Sequence, residues 1–534
     1  MPRLALVAMS ACLALHAAPR HKTVPRGVPD RYRPVPFSQQ TLTGLLGHRM
    51  QANVEGFLEH IDDKGVFAAD LRNSAGLFLD AAANAYDYSH DHELKSVMDR
   101  LAQRLLAQSA SQNASPYAND LLGLLSYYRV THNPDALSAA RDVGQLVLAR
   151  SGSSDSDATQ AVSFLEPMAY LYRQTHNVRI LEFCKHVASL GNQNSLSALP
   201  GLVELYRITA DRAYLATVLN RWQKTRDQEL NIAGGIDSSD NDLCSTASWL
   251  QLNVDLLRVT GDARYAAEIE KTTYNQLLAA QDPATGKILQ SVPLAGRKTP
   301  TTGPVAHAAC ESRAIAMIPA LAWGRYGRGV AVVLYSAGRA TVRVGHRDTV
   351  QLYSETAFPE NGSIALHLEP SHPIRFSLFL RVPEWAKDFR VDVDGIHQVG
   401  RPGEFLNLSH EWAHAETVNI SIDMPLTVLT AKQPSTNQVA LQRGPQLLAI
   451  EQKLNPEIAD LSKVTLSGDT AALKLSPVDK VPSDWFGNQV YEMPAYMDKS
   501  PIQVRLAPLS DATAYRVWIA LTEQRSSEAI ARPN

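Results

Sequence analysis

A short pattern that recurs in the first three hundred residues constrains the fold of this chain more than any other feature. Each copy is six residues long. Its first residue is aromatic or leucine, its fourth is serine or threonine, and its sixth is Asp or Asn. The copies lie at residues 86–91, 128–133, 172–177, 206–211 and 257–262. Asp and Asn side chains accept hydrogen bonds from the first amides of a following helix. Each copy therefore predicts a turn between two helices.

The stretches between these turns show the 3.6-residue periodicity of apolar positions that is typical of helices. They predict twelve helices, near residues 42–60, 74–87, 91–108, 117–130, 134–149, 158–174, 178–190, 197–209, 212–229, 244–259, 263–281 and 307–322. Twelve helices make six hairpins, which must stack to bury their apolar faces. We expect a closed (α/α)6 toroid, because an open solenoid needs polar capping repeats and the sequence has no unusually polar first or last repeat.

The character of the chain changes after Pro319, where strand-like alternation of apolar and polar residues replaces the helical periodicity. About eight such runs lie between residues 330 and 422, which is enough for a β-sandwich. Further runs, including residues 514–521, predict a second β module. The predicted organisation is an (α/α)6 barrel over residues 41–323, a β-sandwich over 324–430 and a C-terminal β module over 431–534.

The N-terminus has the form of a secretory signal peptide, with a mostly apolar run after Arg3 and small residues behind it. We predict a signal peptide over residues 1–18 and an unstructured lead-in over residues 19–40. The protein is therefore expected to be exported, to a periplasm or to the extracellular space. Cys12 is interpreted as an apolar residue of the signal peptide and not as a lipoprotein anchor. No stretch of the chain reaches the length of an apolar membrane span.

The net charge and the number of cysteines argue against a nucleic-acid-binding protein and against a disulfide scaffold. The formal net charge is −3, without a basic arm, which argues against a nucleic-acid partner. Removal of the signal peptide leaves Cys184, Cys244 and Cys310, too few for a disulfide scaffold of this size. Cys184 lies in a run typical of an apolar helix face and is predicted to be a buried packing residue.

Two segments at predicted helix starts are candidates for a site. Residues 234–244 hold three carboxylates and a thiol, and residues 307–313 hold an imidazole, a thiol, a carboxylate and a guanidinium. A helix N-terminus stabilises anionic groups, and the loops of a toroid surround one central basin that suits an extended ligand. Helix capping and ion pairing also account for both segments, so neither specifies a site by itself.

Several stretches of the chain carry a family resemblance. They are residues 44–49, 122–128, 249–253, 265–270, 274–281, 293–297, 381–386 and 442–445. Together they resemble glycoside hydrolase family 127, the β-L-arabinofuranosidase-type proteins, from about residue 42 to about residue 451. The resemblance implies an (α/α)6 barrel followed by β domains, and a carbohydrate substrate that contains L-arabinofuranose or a related sugar of plant-type glycans.

The resemblance also implies a zinc–thiolate site. In the family a Glu-Thr-Cys stretch and a Cys-Cys pair supply the ligands, and the first cysteine of the pair is the nucleophile. Here the first stretch corresponds to Asp242 through Cys244, and the pair corresponds to Ala309 and Cys310. The implied zinc ligands are therefore Asp242, Cys244 and Cys310. The nucleophile position holds alanine, which cannot attack an anomeric carbon.

One hypothesis is that the chain is a glycoside hydrolase with an altered mechanism. A zinc ion with water in its fourth position would supply a hydroxide, and an upstream carboxylate would act as acid/base. The nearest upstream carboxylates are Asp237 and Asp240, of which we select Asp240, and Glu311 is a second candidate for a catalytic role. His307 and Arg313 are predicted to bind the substrate.

Three other interpretations stay open. The chain could be a glycan-binding relative without catalytic activity. Cys244 and Cys310 could form a disulfide, because an exported protein is exposed to oxidation. A polysaccharide lyase would share the architecture, but it needs a Tyr/His pair that the sequence does not let us assign. The sequence also leaves the oligomeric state undetermined.

Overall fold

A computed structural model of the chain describes residues 27–522, with gaps at residues 69–70, 110–116, 151–160, 191–194, 237–242, 302–305, 346, 432–436, 484 and 488. The predicted signal peptide, including Cys12, lies outside the described residues. Helices come first along the chain and strands second, as the sequence predicts.

In the first part of the chain, the described residues form a helix at each of the twelve places that the periodicity predicts. They are α1 (Gly44–Gly56), α2 (Ala75–Ser89), α3 (His92–Ser109), α4 (Ala118–Thr131), α5 (Pro134–Arg150), α6 (Leu165–Thr175), α7 (Val178–Ser189), α8 (Leu199–Thr209), α9 (Arg212–Gln228), α10 (Leu243–Thr260), α11 (Ala263–Lys271, continued by a π-helical segment at Thr272–Leu277) and α12 (Ala306–Ala316). Shorter helical turns, such as Pro319–Ala322, are not labelled.

These helices form a closed ring of two layers. Each even-numbered helix packs against the next even-numbered helix, and α12 packs against α2. The odd-numbered helices α3, α5, α7, α9 and α11 each pack against the even-numbered helix that precedes them. The even-numbered helices are thus the inner layer of an (α/α)6 toroid, which confirms the predicted fold. No helix in the described part of the chain is long and apolar enough to cross a membrane.

Small residues allow α2 and α4 to approach closely within the inner layer. A β-carbon on Gly76 would lie 1.8 Å from the carbonyl oxygen of Asn119, and one on Gly123 would lie 2.4 Å from the carbonyl oxygen of Gly76. Neither distance is physically possible, so any other residue at these positions would push the two helices apart.

The recurring sequence pattern produces the same turn at each hairpin. The residue after the helix has a positive φ at His90, His132, His176, Ala210 and Gly261. The residue that follows caps the next helix, because the side chains of Asn177, Asp211 and Asp262 each accept a hydrogen bond from the amide two residues on. The local pattern therefore ends one helix and begins the next.

The sandwich consists of two sheets that share one apolar core with the toroid. The first sheet has the strand order Tyr32–Pro34, Trp323–Tyr326, Gly329–Val332, Ile374–Arg381 and Phe405–Trp412. The second has the order Ile396–Val399, Phe389–Val393, Glu416–Ile422, Ser363–Pro370, Thr349–Thr356, Gly338–Arg343 and Gln40–Leu42. Alternate residues of Thr349–Thr356 and Ser363–Pro370 are buried, which agrees with the alternation in their sequence.

The N-terminal segment departs from the prediction. Residues 19–40 were expected to be unstructured, but Tyr32–Pro34 pairs with Trp323–Tyr326 and Gln40–Leu42 pairs with Gly338–Arg343. Tyr32 is fully buried, and its hydroxyl donates a hydrogen bond to the carbonyl of Ala320. The prediction is wrong for the described residues from 27 onwards, because pairing with strands far along the chain satisfies this backbone.

A third sheet of ten strands forms the C-terminal part. Its order is Leu426–Thr430, Gln438–Arg443, Ile519–Leu521, Val464–Leu466, Tyr491–Met497, Ser500–Pro508, Gln446–Glu451, Ala514–Arg516 and Ala295–Arg297, with Ser476–Pro477 beside Tyr491–Met497. The strand Ala295–Arg297 comes from the loop between α11 and α12, so the toroid contributes a strand to this sheet. A buried ion pair of 3.0 Å between Arg49 and Asp511 forms a second connection.

A buried group of three side chains connects the toroid to the sandwich. Arg381 forms an ion pair with Glu270 of α11, and the exposed fractions of these side chains are 1% and 4%. The indole nitrogen of Trp385 donates a hydrogen bond of 2.8 Å to the other oxygen of Glu270. Charges removed from water in this way are stable only while they stay paired.

We expect Glu270→Gln to lower the free energy of unfolding by about 3–5 kcal/mol, because it leaves the guanidinium of Arg381 buried without a counter-charge. The control is Asp388→Asn, which removes the partner of Arg390 in a surface pair whose side chains are 67% and 34% exposed. The control should cost less than about 1 kcal/mol. Urea denaturation followed by circular dichroism measures both, and equal small losses would contradict the expected role of Glu270.

Candidate active site

The N-termini of the inner helices share one end of the toroid, because inner helices alternate with outer helices along the chain and so run parallel. We call the first two turns of α2, α4, α6, α8, α10 and α12 the rim of the central basin. Helix dipoles place partial positive charge at this end, where it favours anionic groups. Both segments that the sequence singled out precede or begin inner helices of this rim.

The structure brings the two predicted cysteines together. Cys244 lies in the first turn of α10 and Cys310 in the second turn of α12, and these helices are neighbours in the ring. The two residues form a disulfide across a sequence separation of 66 residues. This is one of the alternatives left open by the sequence. Cys184 is free and buried, as predicted, and burial raises the pKa of its thiol to about 12.

The donor set at the rim does not fit zinc in this form of the protein. Zinc binds thiolates, and a disulfide offers none. Asp242, Asp240 and Asp237 lie outside the described residues, so their positions do not bear on the question. Within the described ranges, the one group of side chains spaced for a metal ion is Asp394, His410 and Glu416, which belongs to the sandwich. A zinc site at the rim stays a prediction for the reduced protein.

The residues of α12 differ in their exposure. Ala309 and Glu311 are fully buried, and neither carboxyl oxygen of Glu311 has a hydrogen-bond partner among the described residues. Burial raises the pKa of Glu311 well above its usual range. A carboxyl group enclosed in this way does not contact a substrate, so this burial does not fit the predicted catalytic role of Glu311. His307 is half-buried, and its contact with substrate stays a prediction.

Arg313 contacts carboxylates of two other inner helices. Its Nε atom lies 2.5 Å from an Oδ atom of Asp80 in α2, and its guanidinium lies 4.0 Å from the carboxyl group of Glu166 in α6. Asp80 also accepts hydrogen bonds from the hydroxyl of Ser126 and the amide of Asn84. The predicted substrate-binding arginine therefore belongs to a polar network on the inside of the ring.

Glu166 provides a largely buried carboxyl group at the rim. It lies in the first turn of α6, is 12% exposed, and accepts a hydrogen bond of 3.2 Å from the hydroxyl of Tyr170. Burial raises the pKa of Glu166 to about 7, against the opposing charge of Arg313 and together with the charges of Asp255 and Asp80. A carboxyl group with this pKa can hold or release a proton near neutral pH.

A second carboxylate at the rim belongs to the first turn of α4. Asp120 forms a two-point ion pair with Arg72, at 2.8 and 2.6 Å, and burial raises its pKa in spite of that partner. The guanidinium of Arg72 lies 4.9 Å from the ring centre of Tyr117 and 5.6 Å from that of Phe67. Planar polar and aromatic groups side by side are suited to a sugar ring, which has both hydroxyl groups and apolar faces.

Sequence reasoning missed Asp80, Glu166 and Asp120. Asp80 and Glu166 each lie between apolar residues, as in the run from Phe78 to Ala83, and Asp120 is followed by an apolar run. The available signal was a charged residue on a face predicted to be buried, which is rare without a partner or a function. No spacing rule connects residues that come from three different hairpins.

The toroid, its rim of carboxylates and the following sandwich together define a glycoside hydrolase-like protein. Residues 173–320 match the family model described as "Beta-L-arabinofuranosidase, GH127 catalytic domain", and residues 329–424 match "Beta-L-arabinofuranosidase, GH127 middle domain". These two segments of the chain are therefore similar to the catalytic and middle domains of glycoside hydrolase family 127, as the resemblance in the sequence implied.

Solved structures agree in fold at low sequence identity. One titled "Glycoside hydrolase" has a TM-score of 0.78 and 18% identity, covering 93% of this chain and all of its own. A GH127 β-arabinofuranosidase has a TM-score of 0.76 and 17% identity, covering 92% of this chain and 98% of its own. A GH127 β-L-arabinofuranosidase from Geobacillus stearothermophilus T6 has a TM-score of 0.73 and 16% identity, covering 90% of this chain and 100% of its own. No curated protein matches the chain.

The disulfide predicts the thiol count and the metal content. The mature protein, denatured without reductant, should show one reactive thiol, that of Cys184, and three after reduction. Elemental analysis of the unreduced protein should find no stoichiometric zinc. Stoichiometric zinc that is lost in Cys310→Ser and kept in the control Cys184→Ser would contradict this expectation and establish the metal site.

The enclosed carboxyl group of Glu311 predicts a pH dependence of stability. Its pKa is raised in the folded state, so the folded protein keeps a proton that the unfolded chain loses above about pH 4.5. This group therefore makes the protein less stable as the pH rises, by up to about 1.4 kcal/mol per pH unit.

The neutral isostere Glu311→Gln should remove that loss. Urea unfolding at pH 5, 6 and 7 should show the variant gaining stability relative to the parent as the pH rises. A difference between the two proteins that is constant over this range would show that Glu311 does not titrate as inferred. Glu182→Gln, a change at a surface position of α7, is the matched control.

Proposed function

We propose that this chain is an exported glycoside hydrolase that acts on L-arabinofuranose-type or related plant glycans in the basin of its toroid. The match to the family's catalytic domain supports a glycosidic substrate, and the signal-like N-terminus supports export. The observation that carries the proposal is the position of Glu166, whose carboxyl group lies at the rim beside Arg313 and Tyr170, where burial raises its pKa to about 7.

Glu166 is suited to protonate the leaving oxygen of a glycosidic bond. A general acid works best when its pKa is near the working pH, and burial in a polar site is the usual means of raising a carboxyl pKa to that range. The nearby guanidinium of Arg313 and hydroxyl of Tyr170 hold the carboxyl group in one orientation. Both neighbours are fixed by the ring of inner helices.

The remaining chemistry differs from that implied by the family resemblance. Alanine at position 309 provides no sulfur nucleophile, and Cys310 is engaged in the disulfide. An inverting reaction needs no nucleophilic side chain, because a second carboxylate activates water on the opposite face of the sugar. Asp240, which the sequence places just before α10, is the residue that we propose for this role. No step of this mechanism requires zinc.

A catalytically inactive glycan-binding relative is the alternative. Two observations favour it, namely the fully buried alanine at position 309 and the disulfide in place of free thiols. Arg72, Tyr117 and Phe67, which lie beside the rim, would serve binding equally well in either case. The two functions differ in turnover alone.

We expect Glu166→Gln to reduce kcat for an aryl L-arabinofuranoside by about 10²- to 10⁴-fold, the usual contribution of a general acid. In the parent protein kcat should fall above about pH 7, because Glu166 must carry a proton to donate one, and again in the acidic range, where the proposed base Asp240 becomes protonated. Glu182→Gln, at an exposed position of α7, is the control and should keep full activity.

A panel of aryl glycosides and plant oligosaccharides separates the two proposals. Turnover that Glu166→Gln abolishes supports the hydrolase. Turnover that Glu166→Gln leaves unchanged would remove Glu166 as the acid. Binding of oligosaccharides without turnover of any member of the panel would establish the inactive glycan-binding protein.

A further inference from the structure

A second concave surface lies outside the toroid, between its outer wall and the two β units. We call it the outer cleft. It has a volume of about 1340 Å³, larger than the roughly 300–1,000 Å³ of a pocket for one small ligand. Its walls come from the C-terminal ends of α9 and α11, from Trp385 of the sandwich, and from Trp518 and the strand Leu426–Thr430 of the C-terminal sheet. A cleft of this size suits several residues of a polymer.

The indole ring of Trp385 is held in one orientation at the wall of the cleft. Its nitrogen donates a hydrogen bond to Glu270, whose carboxylate is itself paired with Arg381. The ring of Phe358 stacks on it, with the ring centres 6.3 Å apart and an angle of 22° between the planes. Trp385 is nevertheless partly exposed and lines the cleft. An aromatic surface that is already fixed loses little entropy when a ligand stacks on it.

Trp518 provides a second indole from the C-terminal sheet. It packs against the apolar cluster that includes Leu447 and Val517, yet it stays partly exposed toward the cleft. Thr427 and Gln442 are directly opposite each other on neighbouring strands of the same sheet, and both line the cleft beside Gln438. The wall therefore combines aromatic surfaces with hydroxyl and amide groups.

The charges of the outer cleft disfavour an acidic ligand. Two cationic and four carboxylate side chains line it. Arg226 forms an ion pair of 2.9 Å with Glu268, and Arg381 neutralises the charge of Glu270. No excess of positive charge is left in this lining for a polyanion, so the fitting ligand is uncharged and rich in hydroxyl groups.

We infer that the outer cleft binds a neutral polysaccharide segment, as a second glycan site separate from the basin. Indole rings stack on the apolar faces of sugar rings, and the amides and hydroxyl groups exchange hydrogen bonds with sugar hydroxyl groups. The inference rests on the proposed function for the kind of polymer, while the cleft binds it without cleaving it. A long substrate is thereby kept on the protein while the basin acts on another part of it.

The test measures binding of soluble arabinoxylan to the full chain by affinity gel electrophoresis, with polygalacturonate as the acidic comparison. Trp518→Ala should weaken arabinoxylan binding about three- to tenfold, the usual effect of one aromatic contact. Thr427→Arg should weaken it as much or more by filling the cleft, without loss of an aromatic residue. Trp485→Ala is the matched control, since Trp485 is partly buried in the same C-terminal part of the chain and does not line the cleft.

Hydrolysis of a small aryl arabinofuranoside reports on the basin and should stay unchanged in Trp518→Ala and Thr427→Arg. Arabinoxylan binding that both changes weaken and Trp485→Ala preserves supports the inference. It is overturned if the parent protein does not bind arabinoxylan, if it binds polygalacturonate more tightly, or if Thr427→Arg leaves binding unchanged. A protein that binds through the cleft but hydrolyses nothing would refute the hydrolase proposal and leave the second site in place.

Discussion

The ion pair between Arg313 and Asp80 connects the last inner helix to the first, at the contact where the ring closes. The exposed fractions of the two side chains are 14% and 3%, so both charges are largely removed from water. Two hydrogen bonds between Asn53 and Ser312, of 3.1 and 2.9 Å, hold α1 to α12 beside the pair. A buried pair of this kind favours the arrangement in which its charges meet. The same guanidinium lies 4.0 Å from Glu166, so closure and the proposed chemistry share one group.

Local patterns made most of the fold predictable. The turn sequences act within six residues, because an Asp or Asn side chain caps the helix that begins next to it. Helical periodicity then predicted the twelve helices, and the number of hairpins together with the lack of polar capping repeats predicted their closure. Pairing between distant strands left no such signal. Tyr32 pairs with Tyr326, and nothing in the Pro- and Arg-rich sequence around Tyr32 indicates that partner.

The site was predictable only where family resemblance or chain order applied. Cys244 and Cys310 meet because their helices are neighbours in a closed ring, which the sequence implied. Whether two adjacent sulfur atoms bind a metal or each other is not encoded in their spacing. Glu166 and Asp80 acquire their roles from tertiary neighbours, and the pKa of Glu166 depends on burial and on charges from three other helices. Burial and neighbouring charges of this kind arise only in the folded chain, so the sequence does not reveal them.

The strand Ala295–Arg297 restricts how such a protein can evolve by exchange of domains. It runs in the C-terminal sheet opposite Ala514–Arg516, while the chain on either side of it belongs to the toroid. Replacement of the last hundred residues by an unrelated domain would remove the strand that pairs with Ala295–Arg297. The unpaired backbone would then lie in the connection that leads to α12. The three parts are therefore expected to be inherited as one unit, and a recombination event at the boundary near residue 430 would disturb the toroid from outside it.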